Sequence, residues 1–124
     1  MKRLLVLVIF LLLFTACSSP TEYYSNRFSF IEVVENKEDA MIKDIPEIEF
    51  ILDEYELIVG LDEANEQYTR YNLEQTPAFI VLEFTGVLTK DMIFRTYDEE
   101  EARMYIEDLI EEAQEKAEIM EQRN

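Results

Sequence analysis

Five consecutive apolar residues, Ala78-Phe79-Ile80-Val81-Leu82, stand between Thr76-Pro77 and Thr85-Gly86. A run this short, bounded by turn residues and rich in branched and aromatic side chains, reads as a strand. Odd and even positions are both apolar, so both faces of the strand are buried and it is central in its sheet. The rest of the chain must then supply neighbouring strands and helices that bury one core on each face, an α/β sandwich.

The flanking sequence supplies them. Phe28-Ser29-Phe30-Ile31-Glu32-Val33-Val34 is rich in aromatic and β-branched residues and predicts a first strand. Ile42, Ile45, Ile48, Ile51 and Leu52, with Tyr55, recur at helical spacing, and Pro46 inside that pattern starts a new turn or kinks the helix. Residues 55–61 predict a buried strand. Asp62 is the expected N-cap of a short helix whose face is Ala64, Tyr68 and Tyr71, with Asn72 ending it in the left-handed conformation. Thr85-Gly86 is a turn, and a further strand falls within 87–96. The last helix opens on Asp98 with Glu101 three residues on, the spacing of a capping box. Its stripe is Ala102, Tyr105, Ile106, Leu109, Ile110 and Ala113, and the end over 114–124 is expected to fray. The first three elements form a βαβ unit and the later two strands a hairpin.

The residue types that are missing exclude several chemistries. The 124 residues contain no histidine, so neither a Ser-His-Asp nor a Cys-His catalytic arrangement can be built. One cysteine, Cys17, leaves no disulfide within the chain. Two glycines, Gly60 and Gly86, cannot make a phosphate-cradling loop. The net charge of −17 repels nucleic acid phosphates and anionic lipid head groups.

The N-terminus follows a different logic. Met1-Lys2-Arg3 is basic, residues 4–14 are an unbroken apolar run, and Thr15-Ala16 place small residues before Cys17. That order is a secretory signal peptide over 1–16. Eleven residues span about 16 Å as a helix, short of a hydrocarbon core of about 30 Å, which weighs against an uncleaved anchor. The small residues ending in Cys17 resemble the lipobox of bacterial lipoproteins, with Phe14 where that family usually has an aliphatic residue. The resemblance implies a diacylglyceryl group on the Cys17 thiol and cleavage after Ala16. An ordinary cleavage site beside an incidental cysteine is the competing reading. Residues 17–27 then read as lipidated cysteine and tether. Its nine residues 18–26, as flexible coil, would reach roughly 16 Å.

From residue 28 to about 112 the element order resembles the thioredoxin fold. The resemblance rests on Tyr71-Asn72-Leu73, Thr76-Pro77, the apolar strand and the Gly86 turn, on Ile45-Pro46 followed by Leu52-Asp53-Glu54-Tyr55, and on the closing helix. It implies a sheet of about four strands, mixed in direction and flanked by helices, over a domain at 28–113. It also implies a cis Thr76-Pro77 bond beside the site. The family's C-x-x-C would fall near Glu38-Asp39-Ala40-Met41, where no cysteine stands. Thiol–disulfide exchange needs an attacking thiolate, so redox activity is not carried over.

The expectation is therefore a non-enzymatic lipoprotein, membrane-tethered outside the cytoplasm through lipid on Cys17. Its domain would bind a protein or peptide, with Gln75, Thr76 and Pro77 as contact residues and no cofactor, metal or nucleic acid. The alternative is a cation-binding lipoprotein using Glu32, Glu35, Glu38 and Asp39 or the acidic run 98–101, although no Asp-x-Asp-x-Asp-Gly loop is present. A paired-carboxylate hydrolase needs two acids at a defined separation, and nothing among 28 acidic residues singles out a pair.

Overall fold

A computed structural model describes residues 26–86 and 89–123. The expected signal peptide over 1–16, Cys17 and the expected tether up to residue 25 lie outside the described residues. Four strands form one sheet: β1 (Phe28–Val34), β2 (Leu52–Val59), β3 (Ala78–Phe84) and β4 (Lys90–Thr96). Two α-helices accompany them, α1 (Leu61–Gln67) and α2 (Glu99–Arg123). The spatial order is β2-β1-β3-β4, with β1 parallel to β2, β3 antiparallel to β1, and β4 antiparallel to β3. The fold is α/β with a four-stranded mixed sheet, as the sequence predicts.

β3 is central, and so is β1, all seven of whose residues are buried. Alternation divides them between two cores. Phe28 and Phe30, with Phe79 and Val81, face Ala102, Ile106, Ile110 and Ala113 of α2. Ile31 and Val33, with Ala78 and Ile80, pack with Ala64, Tyr71 and Leu73 on the other face.

The segment between β1 and β2 departs from the sequence reading. In place of a kinked α-helix there are three single 3₁₀ turns, Lys37–Asp39, Ile42–Asp44 and Ile48–Phe50. Two local features explain it. Ile45 precedes Pro46 and is extended (φ −69°, ψ 124°), because the proline ring crowds the helical conformation of the residue before it. Glu47 is left-handed (φ 66°, ψ 13°), which breaks any helix again. The spacing of Ile42, Ile45, Ile48 and Ile51 is a strict three, the period of a 3₁₀ helix, and all four side chains are buried in the α2 core.

Two more boundaries move. β2 begins at Leu52 and lies on the edge of the sheet, half-exposed rather than buried, with Asp53 and Glu54 facing water. Charged side chains on an edge discourage pairing with another chain. The N-cap of α1 is Gly60, not Asp62, which sits in the first turn. Gly60 has φ 103°, a conformation costly for any residue with a Cβ, and its N–H donates to Val34 O at 2.8 Å. Asn72 does take the expected left-handed conformation (φ 45°, ψ 59°), closing a 3₁₀ turn at Thr69–Tyr71.

α2 starts where the sequence places it. Asp98 Oδ1 accepts from the Glu101 N–H at 2.9 Å. The return half of the capping box is replaced: the Asp98 N–H donates to Thr96 Oγ1 at 3.0 Å, and that hydroxyl donates to Glu101 Oε2 at 3.2 Å. Asp98→Ala removes the acceptor of an otherwise orphaned helix N–H and is expected to cost about 1 kcal/mol, read as a lower urea midpoint at unchanged slope. Beyond Ala113 the helix continues without a break to Arg123, with Ala117 buried one turn on. No described helix is long and apolar enough to cross a membrane.

Candidate ligand cleft

At the C-terminal end of β1 the chain turns outward, and four segments meet around a recess of about 550 Å³. Val34 and Glu35 lead into it, and the Lys37–Asp39 turn contributes Glu38 and Asp39. Ala40 and Met41 follow on the same wall, Thr76, Pro77 and Phe79 form the opposite wall, and Glu99 from the first turn of α2 closes one end. Val34, Met41 and Phe79 are buried and make an apolar floor, while Glu35, Glu38, Asp39 and Glu99 are exposed around the rim. None of the lining residues is basic.

One wall is held from inside the core. Glu32 lies in the middle of β1 with no exposure, in a strand otherwise apolar but for Ser29. Its carboxylate accepts from the Met41 N–H at 2.7 Å, the Ile42 N–H at 3.2 Å and the Tyr55 hydroxyl at 2.6 Å. A buried carboxylate is tolerated only when its oxygens are satisfied, and three donors achieve that here. The Tyr55 phenol is pushed well above its ordinary range, first by burial and then by its hydrogen bond to Glu32, so it remains a donor. Glu32 thus clamps the start of the Ile42–Asp44 turn, and with it the Met41 side of the cleft.

The other wall is the Thr76-Pro77 loop, whose peptide bond is cis. Thr76 Oγ1 donates to Glu35 Oε1 at 3.2 Å, tying the loop to the end of β1. Thr76 and Pro77 line the cleft. Gln75 is exposed and does not line it. The backbone N–H groups of Gln75 and Thr76 have no hydrogen-bond partner among the described residues.

The acidic residues separate rather than converge. Glu32 points into the core, Asp98 caps α2, and Glu99 and Glu100 pair with Arg103 at 3.4 and 3.7 Å. Among the described residues no group of three or more acidic side chains is placed to hold a metal ion. In sequence Glu32 groups with Glu35, Glu38 and Asp39, and neither its inward turn nor the arrival of Glu99 from about 60 residues away is apparent there. A lone charge in a buried strand was the available signal for the first, and the second had none.

Other recesses lie elsewhere on the described residues. One, of about 390 Å³, runs between α2 and the sheet beside Phe28, Ile93, Tyr105 and Leu109. Another lies on the uncovered half of the α1 face, where Lys90 Nζ already donates to Ser29 Oγ and Glu54 Oε2, both at 2.9 Å. No protein-family model, curated protein or solved structure matches this chain.

Proposed function

We propose that this chain is a lipid-anchored bacterial lipoprotein whose thioredoxin-like domain has no redox activity and binds an extended peptide segment of a partner protein. The β2-β1-β3-β4 order, with one parallel and two antiparallel pairs and a closing helix, is compatible with a thioredoxin-like fold. The observation that carries the binding reading is the cleft itself. It lies between residues 35–41 and Thr76-Pro77, where the resemblance puts the redox pair and its substrate groove, and its lining contains no thiol. What remains is a groove with an apolar floor and, on its Thr76 wall, a backbone N–H without a partner among the described residues, the components of main-chain recognition of an extended segment.

The two halves of the proposal have separate tests. For the anchor, the protein extracted from its producing membrane is expected to have the mass of residues 17–124 plus a diacylglyceryl group. Cys17→Ser is expected to lose that mass and to leave the membrane fraction. A single acyl pair plus the tether is the whole attachment, because the acidic domain gains nothing from anionic lipid. An unmodified Cys17 in the membrane-extracted protein overturns the anchor. For the binding site, hydrogen exchange is expected to slow at residues 35–41 and 75–79 when extended peptides are added, and no change in those segments with any peptide overturns it.

A further inference from the structure

We infer that the segment this cleft receives is basic, presenting Lys or Arg side chains to the rim while its backbone follows Thr76 and Pro77. The inference rests on the peptide-binding reading above and adds to it the chemistry of the partner. The floor of Val34, Met41 and Phe79, with Pro77 beside it on the wall, accepts aliphatic parts of a side chain, which the long stems of Lys and Arg provide. The rim above that floor carries four carboxylates, Glu35, Glu38, Asp39 and Glu99, with no basic residue lining the recess.

These carboxylates differ in how far they are already engaged. Glu35 accepts from Thr76, and Glu99 pairs with Arg103. The side-chain carboxylates of Glu38 and Asp39 have neither a hydrogen bond nor an ion pair among the described residues. They are exposed, on the single 3₁₀ turn Lys37–Asp39 beside the apolar floor. A single exposed ion pair is weak, but several charges of one sign around a low-dielectric recess act together on a ligand that spans them. The same rim rejects an acidic segment by like-charge repulsion, so it selects as well as attracts.

The probes are three short synthetic peptides alternating Ala with Lys, with Gln or with Glu, added to the full chain purified in detergent. Affinity is read by fluorescence anisotropy and location by hydrogen exchange. The Lys peptide is expected to bind roughly tenfold more tightly than the Gln peptide at low salt, an advantage that shrinks as salt is raised, and the Glu peptide to bind least. The double variant Glu38→Gln/Asp39→Asn is expected to weaken the Lys peptide about threefold or more while leaving the Gln peptide unchanged. Both positions are exposed, so folding is unaffected. The control Glu111→Gln/Glu115→Gln removes the same charge from the exposed side of α2 and is expected to change affinity less than about twofold.

Three outcomes overturn the inference. If Lys and Gln peptides protect residues 35–41 and 75–79 with equal affinity, the site binds peptides without regard to charge, and the peptide-binding reading survives alone. If the cleft and control variants weaken the Lys peptide equally, the attraction is the diffuse field of an acidic protein. If no peptide protects those segments, the inference and the reading beneath it fall together.

Discussion

Glu32→Ala is expected to destabilise the domain by about 3–5 kcal/mol, a large part of the 5–15 kcal/mol typical of a domain this size. The substitution leaves the Met41 and Ile42 N–H groups and the Tyr55 hydroxyl without their acceptor, the two amides in fully buried surroundings. Each orphaned donor costs about 1–3 kcal/mol, offset in part because a charge no longer has to be buried. Tyr55→Phe removes one donor and leaves the carboxylate with two, and is expected to cost only about 1 kcal/mol. Urea unfolding separates the two variants. Hydrogen exchange adds a readout specific to position, since the Met41 and Ile42 amides should become the fastest-exchanging buried sites in Glu32→Ala. A loss below about 1 kcal/mol would mean that the 3₁₀ segment is held by its isoleucines alone.

The coupling to the cleft follows from the same bonds. Met41 is both a donor to Glu32 and part of the cleft floor, so the residue that anchors the wall is also a positioning residue for the ligand site. The domain thus uses a buried carboxylate to set a surface feature. A hydrophobic residue at position 32 would fill the same core but leave the turn start untied.

Phe30→Ala is the second large effect, expected at about 3–5 kcal/mol from lost burial and the cavity left behind. Phe30 is 1 % exposed on a strand with neighbours on both sides, paired in register with Tyr55 and Val81. Its side faces the α2 core with Phe79, Ile42 and Ile106, all equally buried, so no nearby side chain can move in from the surface to fill the space. Met104→Ala on the same helix is the matched control: at 63 % exposure it is expected to change stability by less than about 0.5 kcal/mol. Thermal unfolding of both variants gives the comparison. Near-equal melting temperatures would place the stabilising core elsewhere.

Much of the architecture was legible because its signals are local. The apolar run 78–82 announced a central strand, and β3 is one. Asp98 announced the start of α2, and its carboxylate caps it. Asn72 announced a left-handed stop, and it adopts one. In each case the deciding interaction lies within a few residues of the signal. For the cleft, Thr76 and Pro77 were legible as an interruption before a strand, and both line it.

The rest required partners far along the chain. A strict spacing of three drifts by about 60° per step around an α-helix, which would set Ile42 and Ile51 on opposite sides of it, so the spacing itself leans to a 3₁₀ pattern. Pro46 and Glu47 settle it locally, but the sheet edge and Glu32 supply the anchoring bonds. The apolar residues of β2 suggested burial, yet nothing in them says which strand ends on the outside; pairing with β1 alone leaves its outer edge open. Gln75 is next to Thr76 in sequence and is still not part of the cleft, whereas Glu99 is, because loop direction and helix docking assign the walls. By itself the sequence determined which residues seek the interior and where helices and turns begin, because those depend on each side chain and its near neighbours. Only the tertiary structure decided which strand is an edge, where Glu32 finds its donors and which carboxylates share a rim, because each depends on contacts between residues far apart in the chain.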